Sequence, residues 1–360
     1  MSARRAVAAA VAILLLVGPA GAQEVSQPLD ADQAPRFRSS VELVSVAAVV
    51  RDRKGRFVFD LSRHDFEVVE AGTSKPIVGF HAERNGPVRI AVLFDISGSM
   101  RVSSRAVDAR QAARHVLSGL QSGDLAALFA FDTQLQQVRK FTADFAGLEA
   151  ALDHVDPPFG QTSLYDAVAE TSRVVAAEAG HRGDGVPQRA AVVVLTDGID
   201  TRSRLTPPEV SGIASGIDVP VYVIAVMSAI DDPARAANDE KERGDKADTV
   251  SAGWDSGLRN LARWTGGELF TVTAPAHASV AARQIVSELR NQYLLAFAAS
   301  SQPGWKPLQI RARDRDLVVR ARSGYRSGGA RPSSGMAAEG GSRSPAVVRQ
   351  DRPGSNNPGR

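Results

Sequence analysis

From residue 88 onward the chain alternates between apolar runs and segments whose apolar positions recur every three or four residues. The first run, Ile90 to Phe94, has no polar position in it. That pattern suits a strand buried on both faces, as in a parallel sheet covered by helices. Similar runs follow at 125–131, 190–195 and 221–226, with shorter strand patterns near 137–141 and at 268–272. Helical spacing predicts helices at about 105–120, 145–152, 163–179, 257–264 and 279–291, and a short one after Pro207-Pro208-Glu209. Such alternation predicts an α/β fold: a doubly wound, mostly parallel sheet with helices on both faces.

The flanks follow a different rhythm. Strand patterns at 41–51, 56–59, 65–70 and 77–80 are separated by turns at 52–55 and 71–73. After the last helix, 293–299, 308–313 and 317–321 again look like strands; Gln309, Arg311 and Arg313 alternate around Ile310, giving one wet and one dry face. If these strands pair with the N-terminal ones, the α/β block is an insertion into a small β-sandwich. The stretch 228–251 is charged and reads as a solvated insertion. Beyond Tyr325 the chain is rich in Gly, Ser, Pro and Arg, a composition expected to stay disordered. The expected division is a leader at 1–22, a linker at 23–39, an N-terminal β segment at 40–86, the α/β domain at 87–291, a C-terminal β segment at 292–325 and a tail at 326–360.

Composition narrows the function. Arg4 and Arg5 precede an apolar stretch at 6–17, too short to span a bilayer, and Ala20-Gly21-Ala22 offers a small-x-small cleavage site. A Sec-type signal peptide and a secreted or periplasmic mature protein beginning near Gln23 are expected, with no transmembrane span after cleavage. The chain has 360 residues and no cysteine, which excludes disulfides, thiolate metal sites and a cysteine nucleophile. A formal net charge of +3 does not make the whole chain a polyanion binder. The arginine-bearing tail has no aromatic residue after Tyr325 to stack on bases, so no nucleic acid is expected as a partner.

The candidate chemistry lies where the apolar runs stop. The first ends at Asp95, and Ser97 and Ser99 follow on alternate positions, with Gly98 allowing a tight turn between them. Asp197 ends the run at 190–195 in the same way, and Thr162 lies in a loop before a helix. Ligands of open α/β sheets gather at the carboxyl ends of the strands. A carboxylate and hydroxyls converging there are hard oxygen donors, suited to Mg2+, with Mn2+ or Ca2+ as alternatives. A serine nucleophile is disfavoured: the motif is not G-x-S-x-G, and the histidines are scattered without H-E-x-x-H spacing. An acid/base role for Asp95 and Asp197 is disfavoured by the interposed hydroxyls. No enzymatic activity is expected.

The set Asp95-x-Ser97-x-Ser99, Thr162 and Asp197, with the flanking Phe94-Asp95-Ile96-Ser97-Gly98-Ser99-Met100, Thr162-Ser163-Leu164-Tyr165-Asp166-Ala167 and Leu195-Thr196-Asp197-Gly198-Ile199-Asp200, resembles the metal-ion-dependent adhesion site (MIDAS) of von Willebrand factor type A (VWFA) domains. The resemblance covers about 88–291. The ends, with Asp65-Phe66-Glu67-Val68 and Tyr293-Leu294-Leu295, resemble a VWFA-related subgroup common in Acidobacteria. It implies that Asp95, Ser97 and Ser99 come from a first loop, Thr162 from a second and Asp197 from a third, Asp197 acting directly or through water. It also implies that the last helix can couple to the site. With about six oxygens wanted by magnesium, one position is left for an outside oxygen, best a carboxylate. The expected function is metal-dependent binding of a protein or other extracellular ligand that presents an acidic side chain. The alternative is a structural or assembly subunit of an envelope complex in which the ion only stabilises the fold.

Overall fold

A computed structural model describes residues 43–82, 84–156, 160–180, 188–216, 218–227 and 251–328, with side chains from 256 in the last stretch. The expected leader and linker, the charged insertion up to residue 250 and the tail from 329 lie outside the described residues.

The chain begins with strands β1 (Leu43–Arg51), β2 (Phe66–Glu70), β3 (Thr73–Lys75) and β4 (Ile77–His81). The α/β block follows: β5 (Val88–Asp95), α1 (Arg105–Ser118), β6 (Leu125–Phe131), β7 (Leu135–Thr142), α2 (Phe145–Asp153), α3 (Leu164–Ala179), β8 (Arg189–Thr196), α4 (Pro207–Gly216), β9 (Val221–Val226), α5 (Ser251–Thr265), β10 (Leu269–Val272) and α6 (Pro275–Arg290). Strands β11 (Tyr293–Ala298), β12 (Gly304–Ala312), β13 (Val318–Ala321) and β14 (Gly324–Ser327) close it.

The central sheet has the order β10-β9-β8-β5-β6-β7. Its pairs are parallel except β6 with β7, an antiparallel edge. The unbroken apolar run of β5 is explained by what lies on each side. Ile90, Val92 and Phe94 enter one core, with Ala112 and Val116 of α1, Leu148 of α2 and Ile285 of α6. Ala91 and Leu93 enter the other, with Leu164 and Val168 of α3, Val210 of α4 and Leu261 of α5. Both faces are dry, so alternation would have cost burial on one of them. Strand order reverses at β5: β6 lies on one side and β8 on the other. In such sheets the crevice at the carboxyl ends of the central strands is open to a ligand.

The flanking strands form two antiparallel four-stranded sheets, β13-β1-β11-β4 and β14-β12-β2-β3. β1 pairs with β11 and β2 with β12, so N- and C-terminal segments interleave in both sheets. Their inner faces share one core, including Val46, Phe66, Val68, Leu295, Phe297 and Ile310. This is the β-sandwich that the strand patterns predict, with the α/β block inserted between β4 and β11.

Some boundaries move. The predicted strand at 56–59 reduces to one bridge, Arg51 to Phe57, because Asp52 Oδ1 accepts from the amides of Lys54 and Arg56 and takes those donors from a ladder. α5 begins at Ser251 rather than near 257, and α6 at Pro275, whose ring suits the first helical turn. β14 carries order through Ser327, past the expected start of the tail at 326: Arg326 pairs with Trp305, and the ladder depends on backbone groups that a polar composition conceals.

Candidate metal centre

Asp95 closes β5 and is fully buried. Its Oδ1 accepts from the Ser97 amide at 2.8 Å, and its Oδ2 accepts from Thr196 Oγ1 at 2.5 Å. Burial pushes the Asp95 carboxyl up to about 7; hydrogen bonds from Thr196 and Ser97 oppose this, and the nearby charge of Asp197 adds to it. Ser97 precedes a 3-10 turn, Gly98–Arg101, which brings Ser97 Oγ within 3.0 Å of Ser99 Oγ. The alternate spacing of Asp95, Ser97 and Ser99 thus becomes a continuous chain of side-chain oxygens.

Backbone bonds clamp this loop to its neighbours. Ile96 N donates to Phe131 O at the end of β6, and Gly98 N donates to Gly160 O in the second loop. Thr162 is buried; its amide donates to Thr201 Oγ1 at 2.9 Å, and its carbonyl accepts from the Thr201 and Arg202 amides. The second loop is therefore tied to the third. Asp200 Oδ1 accepts from the Leu164 amide and from Ser203 Oγ, while Ser203 Oγ accepts from the Tyr165 amide. The third loop thus caps α3, whose own Ser163 makes no side-chain cap. Asp166, in the first turn of α3, returns the bond by accepting from the Arg204 and Leu205 amides.

Asp197 is buried beside Asp95, but its carboxylate is already engaged. Oδ1 accepts from the Ile199 amide at 3.2 Å, and Oδ2 accepts from Arg105 Nη1 at 2.8 Å. Arg105 Nη1 also donates to the Ser99 carbonyl at 3.0 Å, joining the first and third loops. Among the described residues, no hydrogen bond joins the Thr162 or Asp197 side chain to Asp95, Ser97 or Ser99; strand ends and loop clamps bring these two up. Sequence reasoning missed Arg105 and Thr196. Arg105 carried a faint signal, since a cation in the first turn of a helix opposes the helix dipole and needs another reason to be there.

The donors fit a small hard dication. Asp95 and Asp197 together carry two negative charges when ionised, and Arg105 offsets one of them. Asp95 meets hydroxyl and amide donors but no cationic side chain among the described residues. No group of three or more His, Cys, Asp or Glu side chains is placed to hold a metal among the described residues, so a nitrogen- or sulfur-rich site is not on offer. Carboxylate and hydroxyl oxygens match magnesium or manganese rather than a soft ion.

Fold and site together describe a doubly wound α/β domain with a candidate cation site at its switch point. Residues 90–199 match the family model of the von Willebrand factor type A domain, a span that holds Asp95, Ser97, Ser99, Thr162 and Asp197. No curated protein sequence matches the chain. Similar solved structures include the conserved hypothetical protein BatB from Bacteroides thetaiotaomicron, at 17% identity over 56% of this chain and 98% of that one, with a TM-score of 0.42. A von Willebrand factor type A protein from Catenulispora acidiphila is 13% identical over 81% of this chain and 74% of its own, with a TM-score of 0.43. Proximal thread matrix protein 1 from the mussel byssus, solved with a zinc occupied MIDAS motif, is 19% identical over 61% of this chain and 49% of its own, with a TM-score of 0.43.

Proposed function

We propose that this protein is an extracytoplasmic binding module that holds Mg2+ through Asp95, Ser97, Ser99, Thr162 and Asp197 and uses it to engage a carboxylate of a partner protein. The observation that carries the reading is Asp95: a fully buried carboxylate at the switch point, flanked by hydroxyls and facing no cationic side chain among the described residues. When bound, the ion supplies a weakly screened positive charge with room for an outside oxygen. The chain's own groups do the rest. Asp95 is oriented by Ser97 N and Thr196 Oγ1, Asp197 by Ile199 N and Arg105, and Thr162 by Thr201. The same clamps favour binding over the alternative of an ion that only stabilises the fold, because hydrogen bonds among the chain's own groups join the three loops. The reading includes no catalytic step, places the protein outside the cytoplasm, and takes 87–291 as the metal-bearing domain and the flanks as those of the VWFA-related subgroup. Among the described residues no helix is long and apolar enough to cross a membrane.

Asp95→Asn tests it, since the amide preserves the shape: its oxygen can accept from the Ser97 amide and its NH2 can donate to Thr196 Oγ1. Calorimetry should show one Mg2+ bound by the wild type and none by the variant, which in EDTA should melt no lower than the wild type. A glutamate-bearing peptide should bind the wild type in Mg2+ and not in EDTA. Binding of Mg2+ without any carboxylate capture, with a large fall in melting temperature in EDTA, would favour the stabilising ion instead.

A further inference from the structure

Around the candidate cation site, the outer side chains of the loops are neither random nor uniformly polar. Val102 is 48% exposed and Ile199 is 42% exposed, two of the few large hydrophobic side chains left in water among the described residues. Both are held next to the donors. The Val102 amide donates to the Ser99 carbonyl, and the Ile199 amide donates to the Asp197 carboxylate. Arg105 Nη1 bridges that same carbonyl and that same carboxylate, so the backbones bearing Val102 and Ile199 are drawn together across the site. Solvent-exposed aliphatic groups at a polar crevice are a contact surface waiting for apolar atoms.

Charge adds a direction. Arg202 and Arg204 are exposed on the third loop, and their amides are anchored to Thr162 O and to the Asp166 carboxylate. Neither guanidinium pairs with a carboxylate among the described residues. The nearest acids on this loop face are already committed: Asp200 to Leu164 N and Ser203 Oγ, Asp166 to the Arg204 and Leu205 amides. On the opposite side, Asp132 lies against Gly160 of the second loop. Arg202 and Arg204 therefore offer exposed cationic groups on the third loop that an acid of the ligand can meet.

We infer that the partner segment is an acidic peptide stretch with three parts: a carboxylate for the cation, an aliphatic residue beside it that packs on Val102 and Ile199, and a second acid a few residues away that meets Arg202 or Arg204. This rests on the metal-dependent reading above and adds to it what lies on either side of the bound acid. A sulfated or phosphorylated polymer would satisfy the arginines but leave Val102 and Ile199 in water, so the peptide is the better fit.

The test uses fluorescein-labelled octapeptides and anisotropy, in Mg2+ and in EDTA. One peptide carries a single Glu among Gly and Ser, a second adds Leu beside the Glu, and a third adds an Asp three positions further on. Affinity in Mg2+ is expected to rise at least tenfold from the first peptide to the third. The double variant Arg202→Glu with Arg204→Glu should erase the gain from the Asp, and Val102→Ser with Ile199→Ser the gain from the Leu. Calorimetric Mg2+ affinity should stay unchanged in the serine variant and should not fall in the charge reversal, since none of the four side chains is a donor and added negative charge favours the cation. Equal Mg2+-dependent binding of all three peptides would overturn this inference and leave the metal-dependent function standing. No Mg2+-dependent binding of any peptide, despite Mg2+ uptake, would overturn both. Heparin binding that persists in EDTA and disappears with the arginine reversals, without peptide binding, would replace the peptide by a polyanion.

Discussion

Arg105 puts a fixed positive charge on the carboxylate that a cation would share. Its bond to Asp197 Oδ2 leaves Asp95 as the more electronegative side of the site, and its bond to Ser99 O keeps the first loop in place. Arginine and dication repel, so the guanidinium should weaken metal affinity while it orders the loops. Arg105→Gln removes the charge and keeps an N–H donor. Mg2+ affinity by calorimetry is expected to rise about tenfold, or ~1.4 kcal/mol. A fall would mean that orientation of Asp197 outweighs repulsion. Asp95 makes a second prediction, about pH. Its folded carboxyl titrates near 7 against an ordinary value of 3.8. Between those values the folded state holds a proton that the unfolded state has released, so this group's contribution to stability falls as pH rises from about 4 to about 7 and is flat above. In EDTA, the melting temperature of Asp95→Asn relative to wild type should therefore climb over that window. An unchanged difference between pH 5 and pH 7.5 would refute it.

Elements of this protein depend on one another's ends. The third loop caps α3 through Asp200 and Ser203, and Asp166 of α3 in turn holds the third loop. Each therefore restrains the other, and the Asp197 loop is held against the start of α3. A tighter dependence occurs where α5 passes into β10. Gly266 sits at φ +89, and the Gly267 amide closes the helix onto Ala262 O. A Cβ on Gly267 would collide with the Val221 carbonyl of β9. Gly267→Ala should therefore force β10 away from β9, or break the helix end, at a cost of about 2 kcal/mol or more. A urea midpoint unchanged from wild type would show that the turn can relax.

Across the molecule, the sandwich and the candidate metal site lie at opposite ends of the central sheet. Four of the five donors sit at or just after the carboxyl ends of β5 and β8, and Thr162 lies in the loop before α3. The sandwich grips the other end: Arg322 of the sandwich bonds the Ser215 carbonyl and pairs with Asp218 before β9, and Ser323 N donates to the Trp264 carbonyl at the end of α5. Arg51 of β1 and Arg320 of β13 both pair with Glu288 of α6, whose side chain is wholly buried, and Arg320 also pairs with Glu268. Both chain connections, β4 to β5 and α6 to β11, cross at this end. Removing one member of a buried ion network leaves the others uncompensated. Glu288→Ala is expected to cost about 3 kcal/mol in urea unfolding, with Mg2+ affinity unchanged under native conditions. A shift in Mg2+ affinity without loss of stability would instead connect the sandwich to the site.

Much of this was readable along the chain because it depends on near neighbours. Ile90 to Phe94 announces a strand covered on both sides, since each residue's burial shows as apolarity at its own position. Asp95, Ser97 and Ser99 announce a cluster of oxygens, since a two-residue spacing at a strand end needs only a local turn to converge. Strand patterns at 293–299 and 308–313 suggest a second β layer shared with the N-terminal strands, but not which strand meets which. Pairing β1 with β11 and β2 with β12 joins residues more than two hundred positions apart, and no local pattern encodes which edges meet. For the same reason the bonds of Arg105 to Asp197 and of Thr196 to Asp95 do not show in the sequence: they span ninety-two and one hundred and one positions. Spacing along the chain carries the chemistry of the donors; packing of distant segments decides which charges and hydrogen bonds surround them.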